Sequence, residues 1–274
     1  MRIVRFLDEK DGICFGQNYR EGIADLLEGP LFGSLKNTRR QVRVKKLLSP
    51  LEPKAILCIG LNYRQHAEET GFKIPQYPAL FMKNPATIAH PDDPVVIPAS
   101  CMDPLQADYE VELAVVIGKT AHNVSTQAAL QYVWGYTVAN DISARRWQAH
   151  AGSGQWVRGK SFDTFCPLGP ILVTPDEIPD PQSLQLKCIL NGNTMQDANT
   201  SDMIFPVAEL ISYLSTDMTL LPGTVILTGT PSGVGYTRDP AVYLKPGDKL
   251  ESVIEGIGIL RNPIEGTGTK PSIS

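Results

Sequence analysis

The run from 107 to 118, Ala-Asp-Tyr-Glu-Val-Glu-Leu-Ala-Val-Val-Ile-Gly, alternates polar and apolar positions and then stays apolar up to a glycine. That pattern predicts a β-strand whose period of two sends Glu110 and Glu112 to one face while Tyr109, Val111 and Leu113 take the other. Two carboxylates side by side raise each other's pKa unless something positive lies between them, and a divalent cation is the simplest such group. Residues 135–141, Gly-Tyr-Thr-Val-Ala-Asn-Asp, form a second β-prone run that ends in an acid, Asp141. Glu110, Glu112 and Asp141 together offer hard oxygen ligands suited to Mg²⁺ or Mn²⁺. A Glu-x-Glu pair alone is the common mark of a solvated sheet face. Here a strongly apolar run follows it, and the other polar motifs of the chain converge on one chemistry.

Residues 55–60 are a continuous apolar run of strand length ending in Gly60. Asn62 as N-cap and Gly71 as stop predict a short helix that carries His66 and Glu69 three residues apart on one face. Glu69 can then accept from a ring nitrogen of His66 and fix its tautomer, although the same spacing also suits a surface ion pair. The second histidine of a zinc-protease His-Glu-x-x-His motif is missing. Hairpins are expected at Asp11-Gly12 and at Asn191-Gly192. Helical patterns run over 125–132 and 207–214, and 142–148 sets Arg145 and Gln148 on consecutive turns.

Lys83, at the end of an apolar segment, could meet an anionic substrate but is expected to solvate a strand end. Lys160 lies in a loop of apolar neighbours, where a lysine either reaches water or faces an anion pocket. Residues 223–235 read as a buried strand entering a glycine-rich loop. The loop lacks the Gly-Lys-Ser/Thr of a phosphate loop and the third glycine of a dinucleotide fingerprint, so its amides are suited to a carboxylate. A turn at 245–248 leads to a last strand near 251–260.

The 22 prolines and 23 glycines among 274 residues favour many turns and short strands. A net charge of −4 without a strong basic cluster excludes nucleic acid as an expected partner. Charges within the first eight residues argue against a signal peptide or membrane span. Five widely spaced cysteines without a Cys-x-x-Cys pair point to reduced thiols and a cytoplasmic protein. Two prolines at 50 and 53 suggest a boundary, giving a small β-rich N-terminal domain (1–48), a catalytic domain (54–264) and a flexible tail (265–274).

In order and spacing, several segments resemble the fumarylacetoacetate hydrolase family. They are Gly60-Leu61-Asn62-Tyr63 with His66, Asp108-Tyr109-Glu110-x-Glu112-Leu113, Asn140-Asp141-x-Ser143-Ala144-Arg145, Gly159-Lys160-Ser161-Phe162-Asp163, Pro167-Leu168-Gly169-Pro170, Asn191-Gly192, and Thr228-Gly229-Thr230-Pro231-x-Gly233-Val234-Gly235. The resemblance implies an α+β, mostly β fold: a mixed β-sandwich roll of the fumarylacetoacetase C-terminal type with a small N-terminal β-rich appendage, usually dimeric. It implies magnesium, sometimes manganese or calcium, on the residues matching Glu110, Glu112 and Asp141. His66, Glu69 and Lys160 match catalytic positions, the first two as a water-activating dyad on a lid helix. Tyr63, Arg145, Gln148 and Thr230 match substrate-binding positions.

The implied reaction is hydrolysis of a C–C bond in a small anionic 1,3-dicarbonyl acid such as an acylpyruvate. Oxaloacetate decarboxylation and keto–enol isomerisation are alternatives on the same site, and a non-catalytic binding protein of this fold is a further one. One departure stands out, since Arg146 follows the Ser-Ala-Arg triplet where the family commonly has an acid.

Overall fold

Short strands with period-two patterning dominate the chain, and they assemble into two large packed sheets and one two-stranded ribbon. The computed structural model describes residues 1–150 and 154–267. The larger sheet has 12 strands, ten of them in the order Lys36–Arg43, Ile23–Glu28, Ile13–Arg20, Arg2–Leu7, Cys166–Val173, Val133–Asn140, Val111–Ile117, Thr224–Leu227, Ala55–Gly60 and Ala79–Lys83. The smaller has 5 strands, in the order Asn193–Asn199, Gln185–Leu190, Lys249–Ile254, Gly258–Gly266 and Val95–Ile97. Among the described residues four short α-helices accompany the sheets: α1 (Arg64–Thr70), α2 (Arg145–His150), α3 (Trp156–Lys160) and α4 (Val207–Ser215). The fold is the mostly β architecture that the resemblance implies.

The central strand Val111–Ile117 shows why the sheets pack as they do. Its odd positions, Val111, Leu113, Val115 and Ile117, join the core between the two sheets, together with Leu186, Leu250 and Leu260 of the smaller one. Its even positions Ala114 and Val116 join a second cluster on the opposite face, with Ile56, Phe81, Leu168 and Leu227. Both faces are therefore covered, and every residue of the strand is buried. Glu112 shares the face of Ala114 and Val116, so the alternation read from the sequence holds.

Several local expectations change. The 107–118 run is not one strand: Ala107–Asp108 pairs separately with Ser143–Ala144, and Tyr109 and Glu110 lie at the break. Residues 125–132 form turns and one short 3₁₀ helix, Ala129–Tyr132, rather than an α-helix. The 156–160 loop is the short helix α3. The last strand is two, Lys249–Ile254 and Gly258–Gly266, paired as a hairpin. Residues 265 and 266 thus belong to a strand, and 268–274 of the expected tail lie outside the described residues. The N-terminal strands continue the main sheet, because Arg2 and Ile3 pair with Val173 and Leu172. Both hairpin turns form, with Asn191 and Gly192 at φ 52° and 82°. Among the described residues no helix is long and apolar enough to cross a membrane.

Candidate active site

Strand direction brings the chemistry together. Ala55–Gly60 and Thr224–Leu227 run parallel, so α1 and the glycine-rich loop leave the sheet at the same edge. Val111–Ile117 runs antiparallel to Thr224–Leu227 and to Val133–Asn140, which brings its beginning to that edge and sets Val111 opposite Asn140. Glu110, Glu112 and Asp141 therefore meet, with an oxygen of each within 4.8 Å of the others, all three buried. The Glu110 carbonyl accepts the Asp141 amide at 2.8 Å and locks the two acids together.

Buried carboxylates need positive partners. Lys160 Nζ bridges Glu110 at 2.7 Å and Asp141 at 2.6 Å. Lys83 Nζ reaches the other Asp141 oxygen at 2.5 Å and donates to the Ile142 carbonyl. The expectation that Lys83 solvates a strand end is thus corrected: its side chain is fully buried. Phe81 and Lys83 are the inward positions of their strand and Leu80 and Met82 the outward ones, so period two carries the lysine inside. Sequence reasoning missed it because all four residues from 80 to 83 have long apolar stems, which hides the alternation.

Arg145 pairs with Asp108 at 2.8 Å and with Glu110 at 2.7 Å, and its guanidinium lies over the Tyr236 ring. Its charge is thus taken up by the chain's own acids rather than left free for a substrate. Four buried acids face three cations, and the surplus negative charge falls on Glu112. Among the described residues Glu112 forms no ion pair, and it accepts one hydrogen bond, from the Gly229 amide at 2.7 Å.

The carboxyl groups feel this directly. Burial alone would raise Glu110, but Lys160 and Arg145 outweigh it and bring the group down to about 2. Burial, followed by the charges of Asp141 and Glu110, holds Glu112 well above the ordinary carboxylate range. Burial opposes the charge on Lys160 as well, but Asp141 and Glu110 more than compensate, so it stays a firm ammonium. A divalent cation fits this donor set, because it would supply the positive charge that Glu112 lacks from hard oxygens already gathered on one side.

The dyad forms as expected. His66 Nδ1 lies 3.0 Å from Glu69 Oε2. Burial works against ionising Glu69, but the hydrogen bonds from His66, Gly233 and Thr237 prevail and lower its pKa, so it is the acceptor and Nδ1 carries the proton. Asn62 is not the helix cap, a position that falls to Tyr63. The Asn62 side chain instead ties the Phe205 amide and the Thr228 carbonyl together.

The glycine-rich loop cradles carboxylates, and they are the chain's own. Gly229 donates to Glu112, Gly233 to Glu69, and Gly235 with Tyr236 to Asp108. At Gly229 and Gly233, φ is 98° and 96°, and a Cβ on Gly233 would stand 2.2 Å from the Met195 carbonyl, so no other residue fits.

A cavity of about 880 Å³ opens above these groups. His66, Glu110, Glu112 and Lys160 line it, as do the expected substrate residues Arg145, Gln148 and Thr230. Gln148 accepts from Arg145 at 3.1 Å. The Thr230 hydroxyl donates to the Val111 carbonyl and accepts from Gln196. Tyr63 is fully buried and does not line the cavity, which moves it from the substrate to the supporting core.

Comparison with known proteins agrees with this geometry. Residues 55–265 match the model of the fumarylacetoacetate (FAA) hydrolase C-terminal domain. A Dictyostelium discoideum protein named fumarylacetoacetate hydrolase domain-containing protein 2 homolog is 45% identical over 244 residues, which is 86% of this chain and 79% of that one. The mitochondrial oxaloacetate tautomerase fahd2 of Xenopus laevis is 46% identical over 219 residues, covering 80% of this chain and 68% of its own. Among solved structures, a 5-carboxymethyl-2-hydroxymuconate delta-isomerase from Mycobacterium smegmatis superposes with a TM-score of 0.84 at 35% identity, over 97% of this chain and 100% of that one. A 2-hydroxyhepta-2,4-diene-1,7-dioate isomerase from Mycobacterium marinum gives 0.83 at 37%, over 98% and 100%. An acid triad with its buried cations and a histidine dyad, held on a sheet matched along this length, identify the chain as a member of the fumarylacetoacetate hydrolase family of enzymes.

Proposed function

We propose that the protein is a divalent-metal-dependent keto–enol tautomerase acting on a small 2-oxo diacid of the oxaloacetate type. The observation that carries this reading is that His66, backed by Glu69, lines the same cavity as Glu110 and Glu112 of the acid triad, with Lys160 beside them paired to Glu110 and Asp141. The names of the tautomerase and isomerase relatives support it. A magnesium ion on Glu110, Glu112 and Asp141 would polarise the oxygens of a 2-oxo acid when bound.

The chain's own groups do the rest. With Nδ1 committed to Glu69, His66 has Nε2 for the cavity and takes a proton from the carbon next to the ketone. The C–H electron pair becomes the C=C bond, and the carbonyl pair moves to oxygen. Glu69 steadies the imidazolium, which returns its proton to that oxygen and completes the enol. Lys160 is too strongly held as an ammonium to donate a proton, so it acts by stabilising the developing negative charge.

Hydrolysis of a C–C bond would use the same dyad on a water molecule, and decarboxylation would need no base. One assay separates the three: oxaloacetate and acetylpyruvate are each supplied with Mg²⁺ or EDTA, while enol absorbance, CO₂ and acetate are followed. Mg²⁺-dependent relaxation of enol oxaloacetate without CO₂, lost in His66→Ala, is the expected result. Acetate release from acetylpyruvate at a higher kcat/KM would move the assignment to the hydrolase, and CO₂ release that survives His66→Ala to the decarboxylase.

A further inference from the structure

Four cations line the cavity: Lys73, Arg145, Arg146 and Lys160. Two of them are spent. Lys160 is bound to Glu110 and Asp141, and Arg145 to Asp108 and Glu110. Among the described residues Arg146 and Lys73 form no ion pair, and both are exposed while lining the cavity. Much of the remaining lining is apolar, including Ile59, Phe72, Pro75, Phe81 and Trp156.

The backbone of Arg146 is nonetheless fixed. Its amide, and that of Trp147, donate to Oε1 of the buried Gln106 at 3.1 and 3.3 Å, and the Arg145 amide donates to the Gln106 carbonyl. A guanidinium on an anchored turn at a cavity wall is well arranged to meet a carboxylate in bidentate fashion.

We propose that Arg146, assisted by Lys73, is the specificity-determining group for a second, distal carboxylate, so that the site selects dianionic 2-oxo acids over their monocarboxylate counterparts. A ligand whose 2-oxo acid end lies at the Glu110 floor would run past the apolar wall and end where the uncommitted cations are. This deepens the tautomerase reading by naming what selects the substrate class, and its test does not depend on turnover.

The test uses a matched pair of probes, 2-oxopentanedioate and 2-oxopentanoate, which share chain length and 2-oxo acid end and differ only in the distal carboxylate. Their binding to the Mg²⁺-loaded full chain is measured by titration calorimetry, with oxalate as a dianion too short to reach the wall. The wild type is expected to favour the diacid by about tenfold or more, the size of one charge-assisted contact. Arg146→Gln should bring the ratio close to one and Arg146→Glu should invert it, with oxalate affinity changed less than about threefold, the scale of a screened surface charge.

Equal affinities in the wild type overturn the proposal, as does a preference that persists in Arg146→Gln. A preference abolished by Lys73→Gln but not by Arg146→Gln overturns the role given to Arg146. If the ratio behaves as expected but oxaloacetate is not tautomerised, the selection stands and the reaction assignment fails.

Discussion

Replacing Lys83 with Met tests the electrostatic account of the site most directly. The change keeps a long side chain in a closely packed place, so little cavity cost is added and the lost quantity is one positive charge. Deleting one partner of a buried ion pair costs about 3–5 kcal/mol. Because Lys160 still neutralises the other Asp141 oxygen, the low end, about 3 kcal/mol, is expected in EDTA. With an unfolding entropy of about 2.1 cal/mol/K per residue over 274 residues, that is a fall in Tm of about 5 °C.

Lys187→Met is the matched control. Its pair with Asp197 spans 3.0 Å, but the two side chains are 42% and 44% exposed. A pair of that kind is worth less than about 1 kcal/mol, so its loss should move Tm by no more than about 2 °C. A magnesium ion held by the triad would supply a positive charge beside Asp141, so added Mg²⁺ should raise the Tm of Lys83→Met by more than that of the wild type. Differential scanning calorimetry in EDTA and in Mg²⁺ reads both effects. A fall in EDTA no larger than that of Lys187→Met would refute the claim that Lys83 is the counter-charge of Asp141.

Two further substitutions extend the reasoning. The folded-state pKa of Glu112 lies above its unfolded value, so the stability it allows is full below about pH 4.3 and is lost as pH rises toward the folded value. In EDTA at pH 8, Glu112→Gln should therefore melt higher than the wild type while its Mg²⁺ affinity by calorimetry falls by at least about 100-fold, the upper end of what loss of a ligand's supporting partner does. Parallel Tm-against-pH curves for the two proteins would contradict this. For the dyad, His66→Ala should lower kcat by about 10²–10⁴-fold with Mg²⁺ affinity unchanged. Glu69 has the opposite sign from Glu112: its folded pKa is depressed, so its contribution is present above about pH 4.3 and lost as pH falls through the folded value. Glu69→Gln should flatten that acid limb, and an unaltered limb would count against the dyad.

What could be read from the sequence was what depends on short-range periodicity. Glu112 falls on the face read for it because strands repeat every two residues, His66 and Glu69 meet because helices bring i and i+3 together, and Asn191-Gly192 closes a hairpin because both residues tolerate positive φ. The parts not read depend on partners far along the chain. Lys83 and Asp141 are separated by 58 residues, and Gln106 and Arg146 by 40. The helix pattern at 125–132 lost to tertiary context, since a 3₁₀ turn there leads directly into the strand Val133–Asn140. The glycine-rich loop was legible as a carboxylate cradle, but nothing local said that its guests would be Glu69, Asp108 and Glu112.

The alternation of Val111–Ile117 between two covered faces also bears on how reliably the chain finds its fold. In a strand buried on both sides, apolar residues alone would let the pairing slide by one position at small cost. Here such a slip would drive Glu112 into the apolar layer between the sheets and bring Leu113 into the place beside the Gly229 amide. A charge forced among Leu186, Leu250 and Leu260 has no partner, and Lys160 would lose Glu110 and keep only Asp141. The acids that strain the correct arrangement make the incorrect one far worse, so the active site acts as the proofreader of its own scaffold.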